Sequence, residues 1–134
     1  MSRAAPGLPP GTACPCGLPA TYRDCCGRLH AGAPAASAEA LMRSRYSAFA
    51  LGLADYLRTS WHASTRPATL ELAPPQPKWI GLKIVATRAL DTDHASVHFI
   101  ARCRVGGRAE RLEETSRFVR EHGHWYYVDG DIAD

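Results

Sequence analysis

The spacing of apolar residues predicts helices in the first half of the chain and strands in the second. Ser37 is a suitable N-cap for a helix over residues 38–51, and Gly52 is a suitable stop. A second helix is predicted over residues 53–61, because its apolar residues fall on one helical face. Four prolines between residues 65 and 78 predict a loop there.

From Trp79 onward the pattern becomes that of strands separated by short turns. The turns are predicted at Thr92-Asp93, Gly106-Gly107 and His122-Gly123, and the glycine pair is the clearest hairpin signal. Four antiparallel strands follow, near residues 79–91, 94–105, 108–121 and 124–130. Two helices packed on a curved four-stranded meander make an α+β fold.

Two-residue turns fix which residues should lie opposite each other. They pair Ile84 with Ala101, Leu82 with Cys103, Phe118 with Tyr127 and Ser116 with Asp129. One face of the sheet is then apolar, and the helices should cover it. That face is predicted to carry Ile80, Leu82, Ile84, Val97, Phe99, Ala101, Cys103, Leu112, Phe118, Trp125 and Tyr127.

The same registers place polar side chains on the apolar face: Glu114, Ser116 and Asp129. Tyr46, Arg43 and Arg45 of the first helix are candidates to meet them. Two readings stay open, because a carboxylate on a core face needs either a partner or a cavity. One is a helix-to-sheet network that fixes the fold, and the other is a ligand pocket. A single bulge would move a residue to the other face.

Four of the five cysteines lie close together in the sequence, at positions 14, 16, 25 and 26. The chain start lacks a signal-like apolar stretch, so we expect a reducing, cytoplasmic compartment in which disulfides are disfavoured. Four thiolates satisfy tetrahedral Zn²⁺ and leave no open position, so Cys14, Cys16, Cys25 and Cys26 predict a structural zinc site. His30 is an alternative to Cys26 as the fourth ligand.

The charge of the chain is mild, with 16 basic and 13 acidic residues. A basic stripe is predicted on the outer sheet face, where Arg102 lies opposite Arg111. It is interpreted as a solvated face balanced by Glu110 and Glu113, although an anionic surface such as RNA is the alternative. We therefore expect no strong nucleic-acid binding. No apolar run is long enough for a transmembrane helix, so no membrane partner is expected.

The residues Cys14-Pro15-Cys16-Gly17 and Tyr22-x-x-Cys25-Cys26-Gly27 resemble the SEC-C zinc motif, known from the tail of the SecA translocation ATPase. Further blocks resemble the bacterial YchJ family: residues 41–49, 54–57, 61–62, 79–82, 116–118 and 125–130. That resemblance implies a SEC-C module joined to a cone-like, nuclear-transport-factor-two-like domain. Residues 1–13 are rich in proline and glycine and predict a disordered lead-in, and residues 31–37 predict a linker. The chain is then divided into this lead-in, a zinc module at 14–30, the linker and the α+β domain at 38–134.

These observations favour a non-enzymatic docking or adaptor protein, or a small-ligand binder, with no catalytic residue assigned. The resemblance implies protein partners such as a chaperone, a ribosome or a nascent chain, reached through the zinc module. The alternative function is a small-molecule enzyme with a pocket around Glu114 and Asp129. We also expect the α+β domain to stay folded when residues 1–36 are removed.

Overall fold

The structure is a computed structural model that describes residues 8–72 and 76–133. The predictions for residues 1–7, 73–75 and 134 lie outside the described residues. A short 3-10 helix spans Tyr22–Asp24 and is followed by three α-helices, α1 (Cys26–His30), α2 (Ala38–Leu51) and α3 (Ala54–Thr59). Four strands follow: β1 (Lys78–Ala89), β2 (His94–Val105), β3 (Arg108–Glu121) and β4 (His124–Ile132).

The caps of α2 confirm the sequence prediction. The Ser37 hydroxyl accepts a hydrogen bond from the Ala40 amide at 3.1 Å, and Gly52 ends the helix with a left-handed φ of 74°. Helix α3 is shorter than the predicted 53–61. The helix ends at Thr59, because Trp61 forms a parallel bridge with Tyr127 of the edge strand β4.

The four strands form one antiparallel sheet in the order β1-β2-β3-β4. The predicted register of β2 with β3 is confirmed, including Ala101 opposite Leu112 and Phe99 opposite Glu114. Gly106 and Gly107 have φ values of 56° and 84°, the conformation of a tight two-residue hairpin turn. The turn at Gly106-Gly107 therefore sets the register of β2 with β3.

The predicted register of β1 with β2 is wrong. Ile84 lies opposite Phe99 and Leu82 opposite Ala101, because residues 90–93 form a longer connection than the two-residue turn that was expected. Register shifts between Trp79 and Gly81 and between Ile84 and Ala86 bend the strand further. As a result Ile80, which was predicted to face the core, is 45% exposed.

The predicted pairing of Ser116 with Asp129 is also wrong. A bulge between Arg117 and Phe118 leaves Phe118 opposite Tyr127, as expected, but places Ser116 opposite Gly130 and Arg117 opposite Asp129. One extra residue in β4 shifts the side-chain alternation beyond it. Asp129 consequently lies on the outer face of the sheet, away from Glu114 and Ser116.

The cysteine segment and the sheet domain share one hydrophobic core. Buried Cys14, Cys16 and Cys26 pack in the same cluster as Leu41 and Met42 of α2. That cluster continues to the inner face of the sheet through Val97, Phe99, Ala101 and Phe118. Within the described residues, no helix is long and apolar enough to cross a membrane.

Candidate metal centre

Short backbone contacts bring the two cysteine pairs together. The Cys14 amide donates to the Ala20 carbonyl at 3.1 Å, and the Tyr22 amide donates to the Thr12 carbonyl at 2.8 Å. Ala13 and Thr21 also form an isolated bridge. Residues 12–13 were assigned to the lead-in, yet their backbone completes the loop that holds the first cysteine pair.

The four predicted ligands lie side by side. The sulfur atoms of Cys14, Cys16, Cys25 and Cys26 are all within 4.8 Å of one another, and those of Cys16 and Cys25 are 3.6 Å apart. A tetrahedral ion with metal–sulfur bonds of about 2.3 Å requires sulfur atoms about 3.8 Å apart. The donor set therefore fits a single metal ion, and its four members would fill the coordination sphere.

Helix α2 forms one wall of this centre. The Ser47 hydroxyl is fully buried and lies 3.7 Å from the Cys14 sulfur, and it also hydrogen-bonds the Cys26 thiol. The Arg43 guanidinium donates to the Cys16 carbonyl at 2.9 Å and pairs with Glu39 at 3.0 Å. Arg43, considered above as a partner for Glu114, thus hydrogen-bonds the backbone of the cysteine loop instead.

The pKa shifts of the four-cysteine group show why a bound cation would stabilise it. Burial raises the pKa of Cys25 to about 12. Hydrogen bonds with Cys14 and Cys16 raise the pKa of Cys26, whereas hydrogen bonds with Cys16 and Cys26 lower the pKa of Cys14. Cys14 is thus the thiol that ionises most readily, because the neighbouring thiols donate hydrogen bonds to its thiolate. Four thiolates can coexist in this space only beside a compensating positive charge.

His30 lies outside the cysteine group, and both of its ring nitrogens have other partners. Its Nε2 is 2.8 Å from the Ser44 carbonyl and its Nδ1 is 2.6 Å from the Tyr22 hydroxyl. A carbonyl only accepts, so Nε2 carries the proton and Nδ1 accepts from Tyr22. Burial lowers the pKa of His30, which favours this neutral form. His30 therefore connects α1 to α2, and Cys26 is the residue placed to complete the ligand set.

The residues of the predicted pocket lie on opposite faces of the sheet. Tyr46 packs edge-on against Trp79. Glu114 accepts a hydrogen bond from the Ser116 hydroxyl at 2.5 Å on the inner face, where Gly130 leaves room for its carboxylate. Asp129 is exposed and accepts from Arg117 at 2.5 Å on the outer face. The Glu114–Asp129 site of the enzyme alternative is therefore not assembled.

The deeply buried cation of the domain is Arg45, which is only 4% exposed. Its Nη1 donates to the Leu57 carbonyl at 2.7 Å and to the Ser60 hydroxyl at 2.6 Å. Its guanidinium lies 4.5 Å from the ring centre of Tyr127 and 5.3 Å from that of Trp61. Burial lowers its pKa to about 10, so it remains protonated at neutral pH. Arg45 thus joins α2, the end of α3 and β4.

A groove that the sequence did not indicate lies between residues 29–35, α3 and the start of β4. Its volume is about 1110 Å³, and its lining includes Leu53, Tyr56 and Trp125. These residues come from distant parts of the chain. Only the fold brings them together, so no local sequence signal could have identified the groove.

The comparisons with known proteins agree with this architecture. Residues 37–130 match the family model described as "YchJ, middle NTF2-like domain". A UPF0225 protein of Bordetella parapertussis is 58% identical over 123 residues, which cover 90% of this chain and 92% of that protein. A UPF0225 protein of Ralstonia nicotianae is 51% identical, with 99% of this chain and 100% of that protein covered.

Two solved structures are similar over most of their length. The solution structure of a SEC-C motif containing protein from Rhodopseudomonas palustris matches with a TM-score of 0.81 and 35% identity, covering 90% of this chain and 98% of that one. A crystal structure of a SEC-C motif containing protein from Psychrobacter arcticus matches with a TM-score of 0.68 and 27% identity, covering 99% and 81%. Taken with the cysteine group and the sheet topology, these matches establish that the chain belongs to the YchJ (UPF0225) family.

Proposed function

We propose that this chain is a non-enzymatic zinc protein that docks other proteins, and that its Zn²⁺ is structural. The observation that carries the zinc assignment is the set of four sulfur atoms within 4.8 Å of one another. Thiolates are soft ligands that suit Zn²⁺, and a cytoplasmic location would supply the reducing conditions that keep them free. With all four positions taken by protein, the ion has no place for a substrate or a reactive water.

The residues around the sulfur atoms support a structural role. Cys14, Cys16 and Cys26 are buried and Cys25 is half-buried. The Ser47 hydroxyl faces Cys14 and Cys26 and can donate to a ligating thiolate. The bound ion would tie the cysteine loop to α2, which carries Ser47.

The exposed side of the cysteine module supports docking. Arg23 and Arg28 lie on the surface beside a groove of about 440 Å³, whose other lining includes Leu8, Pro9 and Tyr22. An extended acidic segment of a partner protein suits a groove with apolar walls and two cations at its rim. A chaperone, a ribosomal protein or a nascent chain are partners of this kind.

Native mass spectrometry tests the metal directly. We expect the intact protein to carry one zinc ion that a chelator removes, and the Cys25→Ser, Cys26→Ser variant to carry none. Cys103→Ala is the matched control, because Cys103 is buried in the sheet domain outside the cysteine group and its loss should leave the zinc in place. A folded wild-type protein without zinc, or zinc retained by the double serine variant, would contradict the assignment.

Docking is tested with the zinc content held constant. We expect the full chain to capture partner proteins from bacterial lysate, and the Arg23→Glu, Arg28→Glu variant to lose those partners while it keeps one zinc ion. If both proteins capture the same set, the module groove is not the docking surface.

A further inference from the structure

Five exposed cations lie along β1 and the adjoining end of β2. We call this surface the basic belt; it consists of Lys78, Lys83, Arg88, Arg102 and Arg104. Within residues 8–72 and 76–133, these five side chains have neither a hydrogen-bond acceptor nor a carboxylate partner. The neighbouring cations of β3 differ, since Arg117 and Arg120 pair with carboxylates at 2.5 Å and 3.2 Å.

The strand register places the whole belt on the sheet face that points away from the helices. Arg102 and Arg104 alternate with the buried Ala101 and Cys103, so their side chains point outward. Lys78 lies opposite Arg104, and residues opposite each other share a face. The same rule places Lys83, opposite Ile100, and Arg88, opposite Ser96, on the outer face.

Acids are sparse beside the belt, since Glu113 of β3 lies on the same face but pairs with Arg111 at 2.8 Å and with His98. Strands β1 and β2 contain no aspartate or glutamate, and two like-charged pairs lie directly opposite each other: Lys78 with Arg104, and Arg102 with Arg111. Like charges at such positions destabilise a sheet. Lysines on an edge strand do protect it from aggregation. That protection explains the charges of β1 but not Arg102 and Arg104, which lie on the interior strand β2.

Contrary to the expectation from the mild net charge, we propose that the basic belt binds the phosphate backbone of double-stranded RNA. Cations on neighbouring strands are about 5 Å apart, and those two residues apart on one strand are about 7 Å apart, so several phosphates can be contacted together. Arginine forms paired hydrogen bonds with phosphate oxygens. An open sheet face suits the wide, shallow minor groove of an A-form duplex better than the deep grooves of DNA.

The position of the aromatic residues disfavours single-stranded RNA, whose readers stack bases on exposed aromatic rings. Strands β1 and β2 contain two aromatic residues, Trp79 and Phe99. Trp79 packs against Tyr46 of α2, and Phe99 is buried in the core, so both lie on the helix side. A second copy of this chain is also disfavoured as the occupant, because pairing two β1 edges would bring two basic belts together.

Fluorescence anisotropy with a labelled 20-base-pair RNA duplex tests the proposal on the full zinc-loaded chain. We expect binding whose affinity falls with salt along a log–log slope of about −4.5, as five phosphate contacts require. The Arg102→Gln, Arg104→Gln variant should bind about tenfold more weakly or worse, with a slope reduced by about 2. Its unfolding midpoint should not fall, because each of the two like-charged pairs is reduced to one cation.

Arg58→Gln, Arg66→Gln is the matched control, since it changes the net charge equally at residues that bond backbone carbonyls outside the sheet. It should bind duplex RNA within twofold of the wild type. The proposal is overturned if the wild type fails to bind in 50 mM salt, or if both double variants weaken binding equally. Tighter binding to duplex DNA, to single-stranded RNA or to an acidic polypeptide would overturn it in favour of that ligand.

Discussion

Ser47 is the residue whose role depends most directly on the proposed metal. Its side chain is fully buried in α2, and its hydroxyl faces two of the four sulfur atoms. A hydroxyl that donates to a ligating thiolate spreads the negative charge of the centre and orients the ligand. In the metal-free chain the same hydroxyl has only neutral or partly ionised thiols to contact.

We expect Ser47→Ala to weaken zinc binding by about tenfold or more, the usual effect of losing such a contact. Competition with a chromophoric chelator measures the affinity. Ser37→Ala is the control on the same helix, because it removes the N-cap and should lower the free energy of unfolding by about 1 kcal/mol without changing zinc affinity. Equal zinc affinities for wild type and Ser47→Ala would show that the hydroxyl does not act on the metal.

Single residues also show what the sequence can predict about the site. The spacing of the cysteines identified all four members of the group, because cysteine is itself a metal-ligating residue type. Asp129 was misplaced because a bulge one residue away moves it to the other sheet face. The roles of His30 and Arg43 depend on Ser44 and Cys16, which only the folded chain brings beside them.

At the scale of elements, Arg45 is the link between α2, α3 and β4. Its two hydrogen bonds end on the last turn of α3, and its guanidinium stacks on Tyr127 of β4. A planar cation can hydrogen-bond at its edge while its face contacts an aromatic ring, which an ammonium group cannot do in the same way.

We expect Arg45→Lys to lower the free energy of unfolding by about 2 kcal/mol, because the planar contact with Tyr127 is lost. Arg45→Met should cost about 3 kcal/mol, because the hydrogen bonds to Leu57 and Ser60 are lost as well. Urea unfolding measures both values. Arg58→Met, which removes a less buried arginine of α3, should cost under about 1 kcal/mol. A cost for Arg45→Met no larger than that of Arg58→Met would show that Arg45 does not link the elements.

The elements themselves were predicted to different degrees. Residues 38–51 were predicted from their caps, and β2 and β3 from the Gly106-Gly107 turn, because both signals are local. The β1–β2 connection carried a weaker turn signal, and the register of β1 depends on two irregularities that respond to packing rather than to neighbouring residues. All four strands were therefore predicted, but the register was predicted correctly only where the turn signal was unambiguous.

At the scale of the whole molecule, the cysteine module is part of the core rather than an appendage. Its buried cysteines and Tyr22 pack on Leu41, Met42 and Tyr46, which lie on the inner side of α2. Removing residues 1–36 would expose that side of α2 to water. The structure thus gives a physical reason to expect the opposite of the sequence prediction that the α+β domain stays folded alone.

A metal bound in the shared core should stabilise the whole chain, and tryptophan fluorescence measures this stabilisation. All three tryptophans, Trp61, Trp79 and Trp125, lie in the sheet domain, so their signal reports that domain and not the cysteine loop. We predict a single thermal transition that falls by about 10 °C when a chelator removes the metal, since binding to the native state alone stabilises it. If the tryptophan transition stays in place after mass spectrometry shows that the metal is gone, the metal does not stabilise the sheet domain.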